Sequence, residues 1–93
     1  MVSVVAGFVV KDGKEAECLG YVKSLVEETR KEKGNIMYEC CRSLDDAQKF
    51  VIMEKWESKE ILDLHMQTPH FKEYIPKMDP LTNGITVDVF DVL

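Results

Sequence analysis

The stretch Asn35–Trp56, NIMYECCRSLDDAQKFVIMEKW, has the pattern of two strands joined by a short turn. The segments NIMYECCR (Asn35–Arg42) and QKFVIMEKW (Gln48–Trp56) each have the length and composition of a strand. The residues between them, Ser43–Ala47, have the composition of a turn. We therefore predict an antiparallel hairpin in the middle of the chain.

A strand and a helix precede the hairpin. Val2–Val10 is rich in valine and has no helical period, which predicts strand one. From Lys14 to Lys33, apolar residues recur at spacings of three and four, which predicts one long amphipathic helix that stops at Gly34. The charged run Glu27–Lys33 then forms the solvated last two turns of that helix.

Two helical segments and a last strand follow the hairpin. A helix capped by Ser58 covers Ile61 to about Gln67, and a shorter helical piece follows over Pro69–Lys77. The prolines at Pro76 and Pro80 bracket a predicted loop, and Ile85–Leu93 has the pattern of strand four. The order β-α-β-β-α-β predicts one α+β domain over residues 1–93 with the ferredoxin-like fold, a four-stranded antiparallel sheet with both helices on one face.

The alternation along strand three predicts two different faces. One face carries Phe50, Ile52, Glu54 and Trp56, and the other carries Val51, Met53 and Lys55. Strand one is apolar on both faces, yet the helices of this fold cover only one side of the sheet. We therefore predict a homodimer whose sheets pack face to face. A monomer with one partly exposed sheet face is the alternative.

Charge and cysteine content exclude several classes of protein. The net charge is −5 and no basic stripe with interleaved aromatic residues is present, so neither nucleic acid nor an anionic membrane surface is an expected partner. The apolar start lacks the basic flank of a signal peptide and the length of a membrane span. The three cysteines include the adjacent pair Cys40 and Cys41 and suggest no disulfide framework, so we expect a cytoplasmic protein with reduced thiols.

The two histidines of the chain, His65 and His70, are expected to have different roles. On a helical wheel, His65 lies in the apolar arc of its helix and faces the sheet. Thr68-Pro69 breaks the helix before His70, which then need not face the same way and is expected to fix the turn beside Phe71. Helical metal ligands favour spacings of three or four, and no third ligand is evident, so we expect no metal site.

Several polar side chains are expected to meet in a pocket between the sheet and the second helix. Glu54 lies on the face of strand three that carries Trp56, and Tyr38 shares its face of strand two with Ile36 and Cys40. With His65, they suggest a pocket in which a desolvated acid or base transfers a proton. The alternatives are a core histidine bonded to a backbone carbonyl and a purely structural Glu54.

The chain resembles the antibiotic biosynthesis monooxygenase family in two longer segments. They are TRKEKGNIMYECCRS (Thr29–Ser43) and FVIMEKWESKEILDLHMQTPHFKEY (Phe50–Tyr74). The matching positions, in order, are Glu32, Gly34, Tyr38, Glu54, Trp56, Ser58, His65, His70 and Phe71. The resemblance implies a dimeric α+β barrel built from two ferredoxin-like chains.

The resemblance also implies a cofactor-independent monooxygenase or quinol oxidase that acts with O₂ on a small aromatic substrate, without metal or flavin. We assign the catalytic roles to His65 and Glu54. The side chains assigned to the substrate are Tyr38, Ile52, Trp56 and Phe71. An isomerase of a small phosphorylated signalling sugar and a non-catalytic small-molecule-binding protein are the alternatives. Haem degradation is disfavoured, because strand one has no asparagine and Lys72–Ile75 contains no histidine.

Overall fold

The chain folds as a sheet with three helices on one side. The computed structural model describes residues 1–93. Its elements are β1 (Val2–Val10), α1 (Glu15–Thr29), β2 (Asn35–Arg42), β3 (Lys49–Trp56), α2 (Lys59–His65), α3 (Pro69–Met78), a 3₁₀ turn (Asp79–Leu81) and β4 (Thr82–Asp91). The four strands are antiparallel in the order β2-β3-β1-β4, which confirms the α+β ferredoxin-like fold.

The core lies between the sheet and the helices. Alternate residues of β1 are buried, and the predicted inner face of β3 is buried as well. Glu54 lies opposite Val4 of β1 on one side and opposite Tyr38 of β2 on the other, so this carboxyl group sits at the centre of the inner face. Placing a carboxyl group among apolar side chains costs free energy unless it is neutral or hydrogen-bonded, and this strongly affects its chemistry.

The first helix ends one turn earlier than the sequence predicts. α1 stops at Thr29, and Arg30–Gly34 form turns in which the amide of Glu32 donates to the carbonyl of Thr29 (3.0 Å). Gly34 has φ 91°, and a Cβ there would lie 2.6 Å from Cγ2 of Ile61. The prediction of a helix through Lys33 was therefore wrong, and Glu32 belongs to a loop that packs against α2.

The second half of the chain has the predicted cap at Ser58 and a further cap at Thr68. The Ser58 hydroxyl accepts from the amide of Ile61 (3.2 Å), and the Thr68 hydroxyl accepts from the amide of Phe71 (3.3 Å), so each helix starts at a side-chain cap. Pro76 lies inside α3 rather than in a loop, and β4 begins at Thr82 rather than Ile85. None of the helices combines the length and hydropathy needed to cross a bilayer.

The outer face of the sheet stays uncovered. Met53, which pairs with Val5, is 41% exposed, and Phe90 on the same face is 53% exposed. Val87 and Val89 lie on the helix side of the edge strand β4 and are exposed too, because the helices do not reach that edge. The predicted face-to-face homodimer remains a prediction.

Candidate functional site

A small cavity lies between the sheet and the helices α2 and α3. Its volume is about 90 Å³, and twelve of its fourteen lining residues are hydrophobic. Five of the six predicted site residues line it, namely Tyr38, Ile52, Glu54, His65 and Phe71. The lining side chains of Met66 and Val87 are exposed, which places the mouth of the cavity between the end of α2 and β4.

His65, the last residue of α2, brings one imidazole to this cavity. Its side chain is only 2% exposed and packs against three aromatic rings, with centroid distances of 4.5 Å to Trp56, 5.1 Å to Phe71 and 5.6 Å to Tyr38. Its Nδ1 lies 2.7 Å from Oε2 of Glu32, while its buried Nε2 has no protein partner. A proton on Nδ1 is donated to the carboxylate, which leaves the lone pair of Nε2 free.

Burial keeps this imidazole neutral. Desolvation lowers the pKa of His65, and the hydrogen bond and negative charge of Glu32 oppose that effect only in part. The neutral ring, with its Nδ1–H held by Glu32, is a proton acceptor at Nε2. This is the arrangement in which a carboxylate orients a histidine base in hydrolases.

Glu32 is a site residue whose functional role the charge pattern of the sequence did not reveal. It was assigned to a solvated helix end, but the early stop of α1 turns its carboxylate toward α2 and α3, where its side chain is 14% exposed. No lysine or arginine pairs with it. The one signal in the sequence for a role of Glu32 was its position, with Gly34, among the residues that match the family pattern.

His70 binds the same carboxylate oxygen. Its Nε2 lies 2.7 Å from Oε2 of Glu32, and its ring centroid lies 6.2 Å from that of His65. Because α3 starts a new helix at Pro69, the spacing of five does not separate the two imidazoles. The two nitrogens and the Glu32 carboxylate oxygen lie within 4.8 Å of one another. The spacing argument that excluded a shared ligand site was therefore wrong.

Glu54 is an acid or base poised near neutral pH. Burial raises the pKa of Glu54 to about 7; the hydrogen bond from Trp56 opposes this rise, and the negative charge of Glu32 adds to it. The indole Nε1 of Trp56 donates to Oε1 of Glu54 at 2.9 Å. Trp56 itself does not line the cavity, but lies behind His65 and holds Glu54 in place. Its predicted contact with a substrate therefore lacks support.

Tyr38 supplies a hydrogen-bond donor rather than a base. Burial, with a further contribution from the charge of Glu54, raises the pKa of the Tyr38 phenol far above its ordinary value. The phenol therefore stays protonated at neutral pH. Together, the cavity offers one free proton acceptor at His65, one carboxyl group with a pKa near neutral at Glu54, and one phenol.

A larger groove of about 480 Å³ lies elsewhere, between α1 and β2. It is a wide surface depression whose lining includes Lys23, Arg30 and Arg42, but no histidine and no buried carboxyl group. Its size alone does not make it the candidate site, since proton-transfer chemistry needs a desolvated acid or base. The smaller cavity is the one that brings such groups together.

The fold is that of small ferredoxin-like proteins, and comparison with known proteins shows which family the chain resembles. Residues 1–77 match the sequence profile of the family described as "Antibiotic biosynthesis monooxygenase". The chain is 32% identical over 77 residues to "Putative monooxygenase YcnE" of Bacillus subtilis (strain 168), a match that covers 83% of this chain and 81% of that protein.

Solved structures agree with that match. A conserved protein from Methanosarcina mazei Go1 superimposes with a TM-score of 0.96 and 31% identity, covering 99% of this chain and 92% of the other. A structure described as an antibiotic biosynthesis monooxygenase gives a TM-score of 0.94 and 29% identity, covering 100% and 99%. The chain therefore belongs to the antibiotic biosynthesis monooxygenase family, and this membership supports a monooxygenase-like function.

Proposed function

We propose that this protein oxidises a small aromatic hydroxyl compound, a phenol or quinol, with O₂ and without a cofactor. The observation that carries the proposal is the buried Nε2 of His65, which has no protein partner and belongs to a ring that lines an apolar cavity. A hydroxyl group of the substrate is the partner that such an acceptor lacks. Glu32 fixes the ring in the tautomer that this hydrogen bond requires.

The chemistry follows from removing the hydroxyl proton. His65 accepts that proton at Nε2, and the resulting electron-rich phenolate transfers an electron to O₂, after which the two radicals combine to a hydroperoxide. Breaking the O–O bond leaves one oxygen atom in a quinone and releases the other as water. The overall reaction is phenol plus O₂ to quinone plus water, and the substrate supplies all four electrons. A hydroquinone instead gives quinone and hydrogen peroxide, a two-electron oxidation.

The lining of the cavity favours an aromatic substrate over a phosphorylated sugar. Its two non-hydrophobic lining residues are Glu54 and His65, and no lysine or arginine reaches it to bind a phosphate. A cavity of about 90 Å³ is smaller than the roughly 150 Å³ that holds benzene in an engineered apolar cavity. An aromatic ring therefore fits only if side chains at the mouth, such as Met66 or Val87, move aside.

We further propose that the working form is a cytoplasmic homodimer. The uncovered outer face, with Met53 and Phe90, supports burial against a second copy. The cysteines Cys18, Cys40 and Cys41 are all free, which fits a reducing compartment. No other partner is needed for the proposed chemistry beyond the aromatic substrate and O₂.

An oxygen electrode tests the proposal directly. Chelator-treated protein is mixed with a panel of naphthols, hydroquinones and phenols, and O₂ consumption is followed together with quinone absorbance. The expected result is protein-dependent O₂ uptake that the His65→Asn variant lacks. Ligand-induced stabilisation against heat without O₂ uptake would instead support a binding protein, and proton exchange into a ketose phosphate without O₂ uptake would support an isomerase.

A further inference from the structure

We propose that Glu32, His65 and His70 form a binding site for one divalent transition-metal cation, represented by Zn²⁺, and that the cation switches the cavity from proton acceptor to proton donor. The binding half depends only on these three side chains. The switching half rests on the proposed function, because it concerns the same His65 nitrogen that would accept the substrate proton.

The geometry places three ligand atoms around one point. Nδ1 of His65 and Nε2 of His70 each lie 2.7 Å from Oε2 of Glu32, and all three atoms lie within 4.8 Å of one another. Ligand atoms that bind one zinc ion at about 2.0–2.2 Å lie roughly 3–3.5 Å apart. A displacement of the Glu32 carboxylate by about 1 Å would therefore admit the ion between the three ligands.

The donor set selects the kind of cation. Two imidazole nitrogens and one carboxylate oxygen suit Zn²⁺ and the neighbouring transition metals, and catalytic zinc sites use this combination. Ca²⁺ and Mg²⁺ prefer sites made of oxygen atoms alone. The side chains of Glu32 and His70 remain 14% and 15% exposed, so water can reach the remaining coordination positions.

The charge at the site also favours a cation. Glu32 is a partly buried carboxylate whose contacts are two imidazoles, and no lysine or arginine balances it. Burying a carboxylate costs free energy, and hydrogen bonds from imidazoles offset that cost only in part. A divalent ion exchanges two hydrogen bonds for three coordinate bonds and neutralises the carboxylate.

Occupation of the site changes the proton on the far side of His65. An imidazole that binds metal through Nδ1 carries its remaining proton on Nε2. The buried Nε2 atom has no protein partner and belongs to a ring that lines the cavity, so it would change from an acceptor of hydroxyl protons to a donor. In the metal-loaded protein, Nε2–H of His65 would donate a hydrogen bond to a carbonyl or phenolate oxygen in the cavity. It could no longer deprotonate a phenol.

Metal binding is tested by calorimetric titration of chelator-treated protein with Zn²⁺, and by the visible absorption of Co²⁺. The expected result is one ion per chain, with binding weakened roughly tenfold or more in Glu32→Gln and in His70→Asn. The control is Glu28→Gln, which changes an exposed carboxylate one turn earlier and should bind as the unmodified protein does. Thermal unfolding confirms that each variant is folded. Absence of 1:1 binding, or equal affinity in all variants, overturns the site.

The proton switch is tested by the ¹⁵N resonances of the His65 imidazole, which report directly which nitrogen is protonated. Zn²⁺ should move the signal of Nε2 from the unprotonated to the protonated range, and O₂ uptake with an active quinol should fall in parallel. An unprotonated Nε2 in the zinc-loaded protein overturns the switch. A protein that never consumes O₂ would refute the proposed function, while both the zinc affinity and the ¹⁵N measurement still decide this inference.

Discussion

Nδ1 of His65 lies 2.7 Å from Oε2 of Glu32, although 33 residues separate the two in the chain. His65 lines the cavity and Glu32 lies outside it, so a residue outside the cavity determines which nitrogen of His65 carries the proton. His70 holds the same oxygen from the other side. The catalytic competence of the proposed base therefore depends on a loop residue that need never touch a substrate.

Replacing Glu32 by Gln should lower quinol turnover by roughly 10²-fold or more, by analogy with other carboxylate–histidine pairs. The amide can donate to Nδ1, which moves the ring proton to Nε2 and removes the lone pair from the cavity. The measurement is the steady-state rate of O₂ uptake. Glu28→Gln, which alters an exposed carboxylate of α1, serves as the control. Equal rates for Glu32→Gln and the control would show that Glu32 does not orient the base.

The two histidines should respond differently to asparagine. His65→Asn should lower the rate by roughly 10²-fold or more, since it removes the proposed proton acceptor Nε2. His70→Asn should destabilise the fold by about 1 kcal/mol, the usual size of a lost hydrogen bond, and reduce the rate only a few-fold through Glu32. Rates and thermal unfolding are measured on both variants. Full turnover in His65→Asn would make His65 a core residue.

Glu54→Gln should stabilise the protein more at about pH 8 than at about pH 5. Because burial raises the pKa of Glu54 from 4.5 to about 7, the folded state binds more protons than the unfolded state in this range, and stability falls as pH rises. Ionising Glu54 in the folded state costs roughly 3 kcal/mol more than ionising it in the unfolded state. The amide oxygen can still accept from Trp56.

The measurement for Glu54 is the difference in unfolding free energy between variant and unmodified protein at each pH. Glu57→Gln, the same substitution at an exposed neighbouring position, is the matched control. A constant difference for Glu54→Gln across the same range would mean that this carboxyl group ionises as an exposed one does.

Met53→Lys should convert a dimer to a monomer. Met53 lies on the outer sheet face beside Val5, and a lysine there would place an unpaired charge in the proposed interface. Sedimentation velocity at micromolar concentration measures the mass. Leu64→Lys, on the exposed side of α2, should leave the mass unchanged. A monomer for the unmodified protein would refute the dimer.

The fold was predictable because its signals are local. The alternation along β3 identified its buried face, and Ser58 and the residue before Pro69 marked the helix starts. The same alternation predicted part of the lining of the cavity, since Glu54 and Ile52 share that face. The position of Trp56 behind His65 was not predictable, because the lining of a cavity depends on how three side chains pack.

The carboxylate of the site was hidden for a physical reason. The charges of Glu27–Lys33 fit a helix well, and nothing local stops α1 at Thr29. Tertiary contacts decide the stop: the side chain of Thr29 is buried, and Gly34 lies against Ile61. The same ending positions Glu32 toward both histidines. Spacing along the sequence carries no information about residues that a helix break brings together.

The close contact between Gly34 and Ile61 has a consequence for mutational screens. Any side chain at Gly34 meets Ile61 and also requires an unfavourable positive φ, so the loop that carries Glu32 would shift away from the histidines. A library scored only by turnover would group Gly34 with the residues that meet the ligand, although its own atoms lie outside the cavity. A compensating Ile61→Ala change removes the steric contact but not the backbone strain, so it should recover part of the activity for small replacements. That partial genetic suppression would reveal Gly34 as a spacer.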